Sequence, residues 1–310
     1  MRVAVILPCH NEAASIRTTV EAFRAALPDA AVYVFDNAST DDTAVRAASA
    51  GAIVRSEPAK GKANAVRRAF ADVEADVYVM ADGDDTYDAS AAPALVARLA
   101  RERLDMVVGA RAHVAAAAYR PGHVFGNRAF SALFRGLFGA TFTDILSGYR
   151  VLSRRFVKSF PLSAGGFEIE LEMAAHAALL RLPAVEVETA YRARDDGGAS
   201  KLRTFRDGAA IFRRMLRFLR LHRPRLVYGA LSGLSLTVAA LLFAPILAEF
   251  LSTGLVPRFP TLIVAVAIGL ASVIFFVVGI ILDAQAQYFA ETKRLVYLGI
   301  PGPDAGEAPE

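Results

Sequence analysis

Along the N-terminal part of the chain, hydrophobic and polar positions follow two alternating rhythms. Short apolar runs, "VAVILP", "AVYVFD", "AIVRS" and "VYVMAD", have the length and β-branched content of strands. Between and after them lie "EAASIRTTVEAFRAAL", "STDDTAVRAASA", "KANAVRRAFADV" and "ASAAPALVARLA", whose apolar residues recur every three or four positions, as on one face of a helix. Strand and helix in alternation predict an α/β fold with a mostly parallel sheet and helices on both faces. In such sheets ligands gather at the carboxyl ends of the strands. Those ends are polar here: "PCHNE" follows the first strand, "DNASTDD" the second and "DGDD" the fourth.

A different pattern takes over near the C-terminus. No charged residue occurs between Leu226 and Ala248, or between Phe259 and Leu282. At 1.5 Å per residue each run makes roughly 35 Å of helix, enough for a bilayer core of about 30 Å. The linking "EFLSTGLVPR" is short, so the two spans form a transmembrane hairpin. Arg217, Arg220, Arg223 and Arg225 precede the first span, and Lys293 and Arg294 follow the second. The positive-inside rule then puts both termini in the cytoplasm of an inner-membrane protein. "RVAVILP" is too short for the apolar core of a signal peptide.

Composition agrees, since 55% of the 310 residues are hydrophobic. Residues 201–225 hold nine Lys/Arg against Asp207 alone, and Phe205, Phe212, Leu216 and Leu219 fall near one helical face. That is a basic amphipathic helix lying on an anionic membrane surface; with spans adjacent, the basic charge speaks for lipid and not nucleic acid. The chain therefore divides into a cytoplasmic domain (1–200), the juxtamembrane helix (201–225), two spans (226–248 and 259–282) and a cytoplasmic tail (283–310).

Candidate chemistry centres on "VYVMADGDDTYD", where an apolar strand ends in Asp82, Asp84, Asp85 and Asp88. One aspartate could be a turn or cap residue, but four together repel, and oxygen-only donors suit a hard cation. A calcium loop opening at Asp82 needs Gly and Glu where Tyr87 and Pro93 stand. A phosphate-binding loop in "SEPAKGKA" fails because Ser56 replaces its first glycine and Ala63 follows the lysine. One cysteine and five histidines make a zinc site improbable. Cys9, near a strand end, reads as a small buried residue.

In order and spacing, "VILPCHNEAASI", "VFDNASTDDT", "GKANAVRRAF" and "MADGDDTYD" resemble the inverting family 2 glycosyltransferases with the GT-A fold. "TDILSGYR", "GFEIELEM" and "SKLRTFRDG", followed by a membrane hairpin, narrow the resemblance to polyprenyl-phosphate glycosyltransferases, the group that contains dolichol-phosphate mannose synthase. The resemblance implies a UDP- or GDP-linked sugar donor, Mg²⁺ or Mn²⁺ as cofactor and a polyprenyl phosphate acceptor. It makes Asp82 and Asp84 the metal motif, with Asp84 the more direct ligand. It places Pro8, Glu12 and Asp36 around the nucleoside, Lys62 toward the diphosphate and Asp144 near sugar and acceptor.

A phosphate monoester has a second pKa near 6 and is mostly ionised at neutral pH, so such an acceptor needs cations more than a base. Arg128, Arg150, Arg192, Arg194 and Lys201 are the candidates, with Arg150 and Lys201 inside family motifs. A processive polysaccharide synthase would carry a QxxRW motif, and this chain has no tryptophan. Transfer to a sugar hydroxyl and a non-catalytic sugar-nucleotide-binding scaffold stand as the alternatives. A homo-oligomer is compatible with any of them.

Overall fold

The computed structural model describes residues 1–111, 134–136, 142–161, 169–192 and 216–303. The elements run β1 (Val3–Cys9), α1 (Ile16–Ala26), β2 (Ala31–Asp36), α2 (Thr43–Ser49), β3 (Ile53–Ser56), α3 (Lys62–Asp72), β4 (Val77–Met80), α4 (Ala92–Arg101), β5 (Met106–Arg111), β6 (Arg150–Ser153), α5 (Arg154–Ser159), α6 (Ile169–Leu180), β7 (Ala184–Thr189), α7 (Pro224–Thr253) and α8 (Phe259–Leu298). They fall into two compact units, residues 1–204 with 293–310, and residues 205–292.

In the first unit, seven strands form one sheet in the order β3-β2-β1-β4-β6-β5-β7. The strand–helix alternation read from the sequence accounts for its parallel half. β1 and β4 are apolar throughout because they lie centrally and are covered on both faces, whereas edge strand β3 is largely exposed. α1 buries Ile16, Thr19, Val20 and Phe23, and α4 buries Ala92, Leu95, Val96 and Leu99, each a single stripe at helical spacing. Both stripes join Val5, Leu7 and Val79 in one core.

Inserted between β4 and β5, β6 runs antiparallel to both, with Arg150 opposite Met80 on one side and Val108 on the other. An antiparallel strand begins where its neighbours end. The segment entering β6 therefore arrives at the edge where β1, β2 and β4 finish. β5 and β7, parallel to each other, finish there too, at Arg111 and Thr189. With β3, which runs parallel to β2, one edge of the sheet thus collects six strand ends and one strand start.

The second unit contains two long apolar helices, α7 and α8, which are candidate membrane spans. Leu234, Leu241, Leu270 and Ile274 are each more than 60% exposed, unlike residues of a soluble core helix. The helices meet through small residues: Ser272 Oγ donates to the Ser232 carbonyl at 3.0 Å, and a Cβ on Gly279 would come within 3.0 Å of Tyr228. Gly254, at φ +70°, ends α7 in the left-handed conformation that a side chain resists.

The charge-free runs lie inside these helices, and α8 continues well past Leu282, so residues 283–298 are helical. Asp283, Glu291, Lys293 and Arg294 interrupt the apolar run without interrupting the helix, since no Gly or Pro appears before Gly299. From Lys293 onward the chain groups with the α/β unit. There the Tyr297 hydroxyl donates to Asp105 Oδ2 at 2.9 Å, and the Tyr297 ring faces the Arg155 guanidinium at 4.8 Å. Asp105, wholly buried, also accepts from Ser153 Oγ at 2.6 Å and from Arg155 Nε and Nη2 at 2.5 and 2.9 Å.

β1 and β4 end so close together that a Cβ on Gly83 would stand 2.3 Å from Cys9 Sγ and 3.2 Å from Ile16 Cδ1. Gly83→Ala should therefore cost about 1–3 kcal/mol through overpacking. Adding Cys9→Ala, which removes the nearest obstructing atom, should recover part of that loss. Thermal unfolding of the two variants, followed by circular dichroism, checks the expected order of stability.

Candidate active site

The loops after β1 and β2 interlock through short polar side chains. Asn11 N–H donates to Ser39 Oγ (2.9 Å), Thr40 N–H to Asn11 Oδ1 (2.8 Å), Glu12 N–H to Thr43 Oγ1 (2.8 Å) and Ala13 N–H to Asp41 Oδ2 (3.1 Å). Much of "DNASTDD" therefore shapes its neighbour "PCHNE". Pro8 lies buried in β1 opposite Phe35, and the Glu12 carbonyl starts α1 by accepting from Ile16 N–H at 2.9 Å. Asn37 clamps the loop before α3: its Nδ2 donates to the Glu57 and Ala59 carbonyls (3.0 and 2.7 Å), and its Oδ1 accepts from Gly61 N–H (2.6 Å).

Asp36 behaves differently. It is buried at the end of β2, and its Oδ1 has no hydrogen-bond partner among the described residues. A buried carboxylate oxygen without a donor is unfavourable by a few kcal/mol, which marks a position made for a ligand N–H or O–H.

The acidic turn after β4 sorts its four aspartates into roles. Asp85 takes φ +57° at the turn, and Asp88 caps the following 3₁₀ turn by accepting from Ser90 N–H at 3.0 Å. Asp84 Oδ1 accepts from Thr86 Oγ1 at 2.6 Å, which fixes the carboxylate's direction. Ser15 Oγ donates to the Gly83 carbonyl at 2.9 Å and ties the turn to α1.

Lys62, in the first turn of α3, forms ion pairs with Asp82 and with Glu170, the latter at 2.5 Å. Burial opposes the charged amine, but the two carboxylates outweigh it and hold the lysine pKa above its ordinary value. The Lys62 side chain thus meets two acidic groups at the polar edge. Asp82 is also hemmed in by Gly148, where a Cβ would lie 2.7 Å from Oδ2.

Asp82 and Asp84 offer hard oxygen donors suited to Mg²⁺ or Mn²⁺. Among the described residues no three His, Cys, Asp or Glu side chains gather as a metal cage. Two carboxylates fit a cation that takes its remaining ligands from substrate phosphates and water.

On the other flank, the segment entering β6 delivers Asp144. Its carboxylate is held bidentately by Arg111 of β5, with Nε to Oδ2 and Nη2 to Oδ1 both at 2.7 Å, and by Arg111 N–H at 3.2 Å. The Arg111 guanidinium lies 5.5 Å from the centre of the Tyr191 ring. Glu186 of β7 accepts from Thr143 N–H at 2.7 Å and supports the loop from below. Arg192 is exposed beyond β7, its N–H bonded to the Thr86 carbonyl at 2.8 Å.

Arg150 sits elsewhere than expected for a ligand-facing cation. It is 0% exposed, and its guanidinium donates to the Ile145 carbonyl at 2.8 Å and the Ser147 carbonyl at 3.1 Å. Burial lowers its pKa to about 10, so it stays charged at neutral pH while bracing the loop that carries Asp144. Arg128, Arg194 and Lys201 lie outside the described residues.

Three residues join the site that sequence reasoning did not assign: Arg111, Asn37 and Glu170. Asn37 and Glu170 stand inside the quoted motifs "VFDNASTDDT" and "GFEIELEM", so a signal existed for both. Arg111 belongs to no motif, and only the β5–β6 pairing brings it to Asp144.

The chain is similar to proteins of one kind. Glycosyltransferase AglJ of Haloferax volcanii is 36% identical over 76% of this chain and 81% of its own length. The dolichyl-phosphate hexose transferase of the same organism is 28% identical over 72% and 96%. Glucosyl-3-phosphoglycerate synthase from Mycobacterium tuberculosis, solved with Mn²⁺ and UDP-glucose, superposes with a TM-score of 0.56 at 26% identity, covering 71% of this chain and 78% of that one. The family model described as glycosyl transferase family 2 matches residues 4–160. With a GT-A-like sheet and its polar edge both in place, the chain belongs to glycosyl transferase family 2.

Proposed function

We propose that this glycosyltransferase moves a hexose from a nucleoside diphosphate donor to a membrane polyprenyl phosphate, with inversion at the anomeric carbon. The observation that carries the reading is convergence: Asp36, the Asp82–Asp84 turn and the Asp144–Arg111 pair reach one sheet edge from separate strands, in a chain that also has two apolar helices of spanning length. The name of the dolichyl-phosphate hexose transferase supports the acceptor class. The Mn²⁺ and UDP-glucose of the synthase complex support the donor class and the metal.

The residues divide the work as follows. Asp36 accepts a hydrogen bond from the nucleoside through its unpartnered Oδ1, beside Pro8 and Glu12. Asp82 and Asp84 hold Mg²⁺ or Mn²⁺, which when bound neutralises charge on the departing diphosphate. The acceptor phosphate is already anionic, so no residue has to deprotonate it. Arg111, with five donors in a planar fork, positions that phosphate for in-line attack. Asp144 orients Arg111, and Arg150 braces the loop from beneath. Arg192 adds positive charge at the rim, with Arg128 and Lys201 in the same role by resemblance. A lipid acceptor calls for an enzyme at the cytoplasmic face of the inner membrane with both termini inside; of the basic segment 201–225, residues 201–215 lie outside the described residues.

Asp84→Asn should abolish most turnover with little change in the thermal unfolding midpoint, and EDTA should act likewise but reversibly on Mn²⁺ addition. Assays of the purified chain against a panel of sugar nucleotides, with a short polyprenyl phosphate as acceptor, read both effects. Full activity in EDTA with no metal retained would remove the metal from the mechanism.

Arg111→Ala should raise KM for the lipid phosphate roughly 10- to 100-fold, the scale of one charge-assisted hydrogen bond, while calorimetry shows little change in donor affinity. Equal losses for both substrates would move Arg111 to the donor diphosphate. Transfer to a free polyprenol at the rate of its phosphate would overturn the acceptor assignment.

A further inference from the structure

The Lys62 amine bridges Asp82, at the carboxyl end of β4, and Glu170, in the first turn of α6. Its backbone has little freedom, because Asn37 clamps Gly61 directly before it. The segment before β6 packs against the amine on one side, since a Cβ on Gly148 would lie 3.2 Å from Nζ, and the Lys62 side chain is 34% exposed. Held at its base, the side chain reaches both acidic partners from one position. One of them, Asp82, belongs to the carboxylate pair assigned above to a divalent cation. The other, Glu170, has a side chain only 7% exposed and takes no part in the chemistry described so far.

We infer that Lys62 is an exchangeable counter-ion of the metal site and that Glu170 is the positioning residue that retains it when the metal arrives. The inference rests on the metal reading of Asp82 and Asp84. Without metal, Lys62 offsets the repulsion between those two carboxylates. A divalent cation takes over that task at Asp82, and the displaced ammonium stays paired with Glu170. A buried carboxylate or ammonium left alone would be strongly destabilising, and Glu170 keeps either from being stranded. The acidic turn is balanced both with and without its cation, and metal binding carries the cost of one exchanged ion pair.

The test is Mn²⁺ binding to the purified full-length chain without nucleotide, read from the electron paramagnetic resonance signal of unbound Mn²⁺. Lys62→Met should bind Mn²⁺ roughly 10-fold more tightly, because the competing cation is gone, and Glu170→Gln should bind it more weakly by a similar factor. In the Lys62→Met background, Glu170→Gln should change affinity less than about 2-fold, because Glu170 acts through Lys62. Independent, additive effects would show simple charge tuning or direct ligation by Glu170, and would overturn the inference; so would unchanged or weaker binding in Lys62→Met. Lys62→Gln replaces Lys62→Met if the latter does not fold. Asp84→Asn serves as the separate check on the metal site: undiminished Mn²⁺ binding there would remove the site itself, whereas its loss beside additive Lys62 and Glu170 effects would remove only the exchange.

Discussion

Gathering carboxylates at one edge of a sheet brings like charges together, and much of the architecture at that edge answers their repulsion. Asp82 is balanced by Lys62, which Glu170 shares, and Asp144 is balanced by Arg111. Asp84, Asp85 and Asp88 are spread along a turn whose hydroxyl and amide donors fix at least two of the carboxylates. Asp36 alone keeps a buried oxygen unsatisfied among the described residues. The partners are drawn from α3, α6 and β5, so the polar edge is held by elements distant in sequence. Its geometry therefore depends on the whole sheet being assembled.

The two arginines near Asp144 show how similar charges acquire different work. Arg150 begins the antiparallel strand, and its side chain is sealed inside, where loop carbonyls occupy its donors. Arg111 ends the neighbouring strand, and its fork meets a carboxylate at the polar edge. Burial of the first provides rigidity, since a guanidinium bonded to the Ile145 and Ser147 carbonyls fixes the approach to β6. Partial exposure of the second leaves it within reach of a substrate.

The parallel half of the fold was legible because its central strands are buried on both faces and its helices on one, which imprints two clean periodicities. The antiparallel insertion was not: β6 is four residues long and carries Arg150 at its start, so it has no run from which to read a strand. For the same reason the Arg111–Asp144 pair could not be found from spacing, and Arg150, lying in a family motif, drew the assignment instead. The acidic turn was visible as a cluster, although the division of Asp85 and Asp88 into turn and cap residues emerges only from the backbone geometry. The Lys62 environment was hidden because Glu170 is more than a hundred residues downstream. The continuation of α8 beyond the apolar run was not read from the sequence, because charge, which ends an apolar run, does not end a helix.

Tyr297 meets Asp105 across 192 positions of the sequence, after both long apolar helices. During synthesis the α/β unit emerges from the ribosome long before this last segment does. Its buried Asp105, with Arg155 beside it, must wait for the aromatic partner until both long apolar helices have been translated. Completion of the catalytic fold is thereby made contingent on the later step, and a chain stalled within the hairpin would present a domain with one flank unfinished.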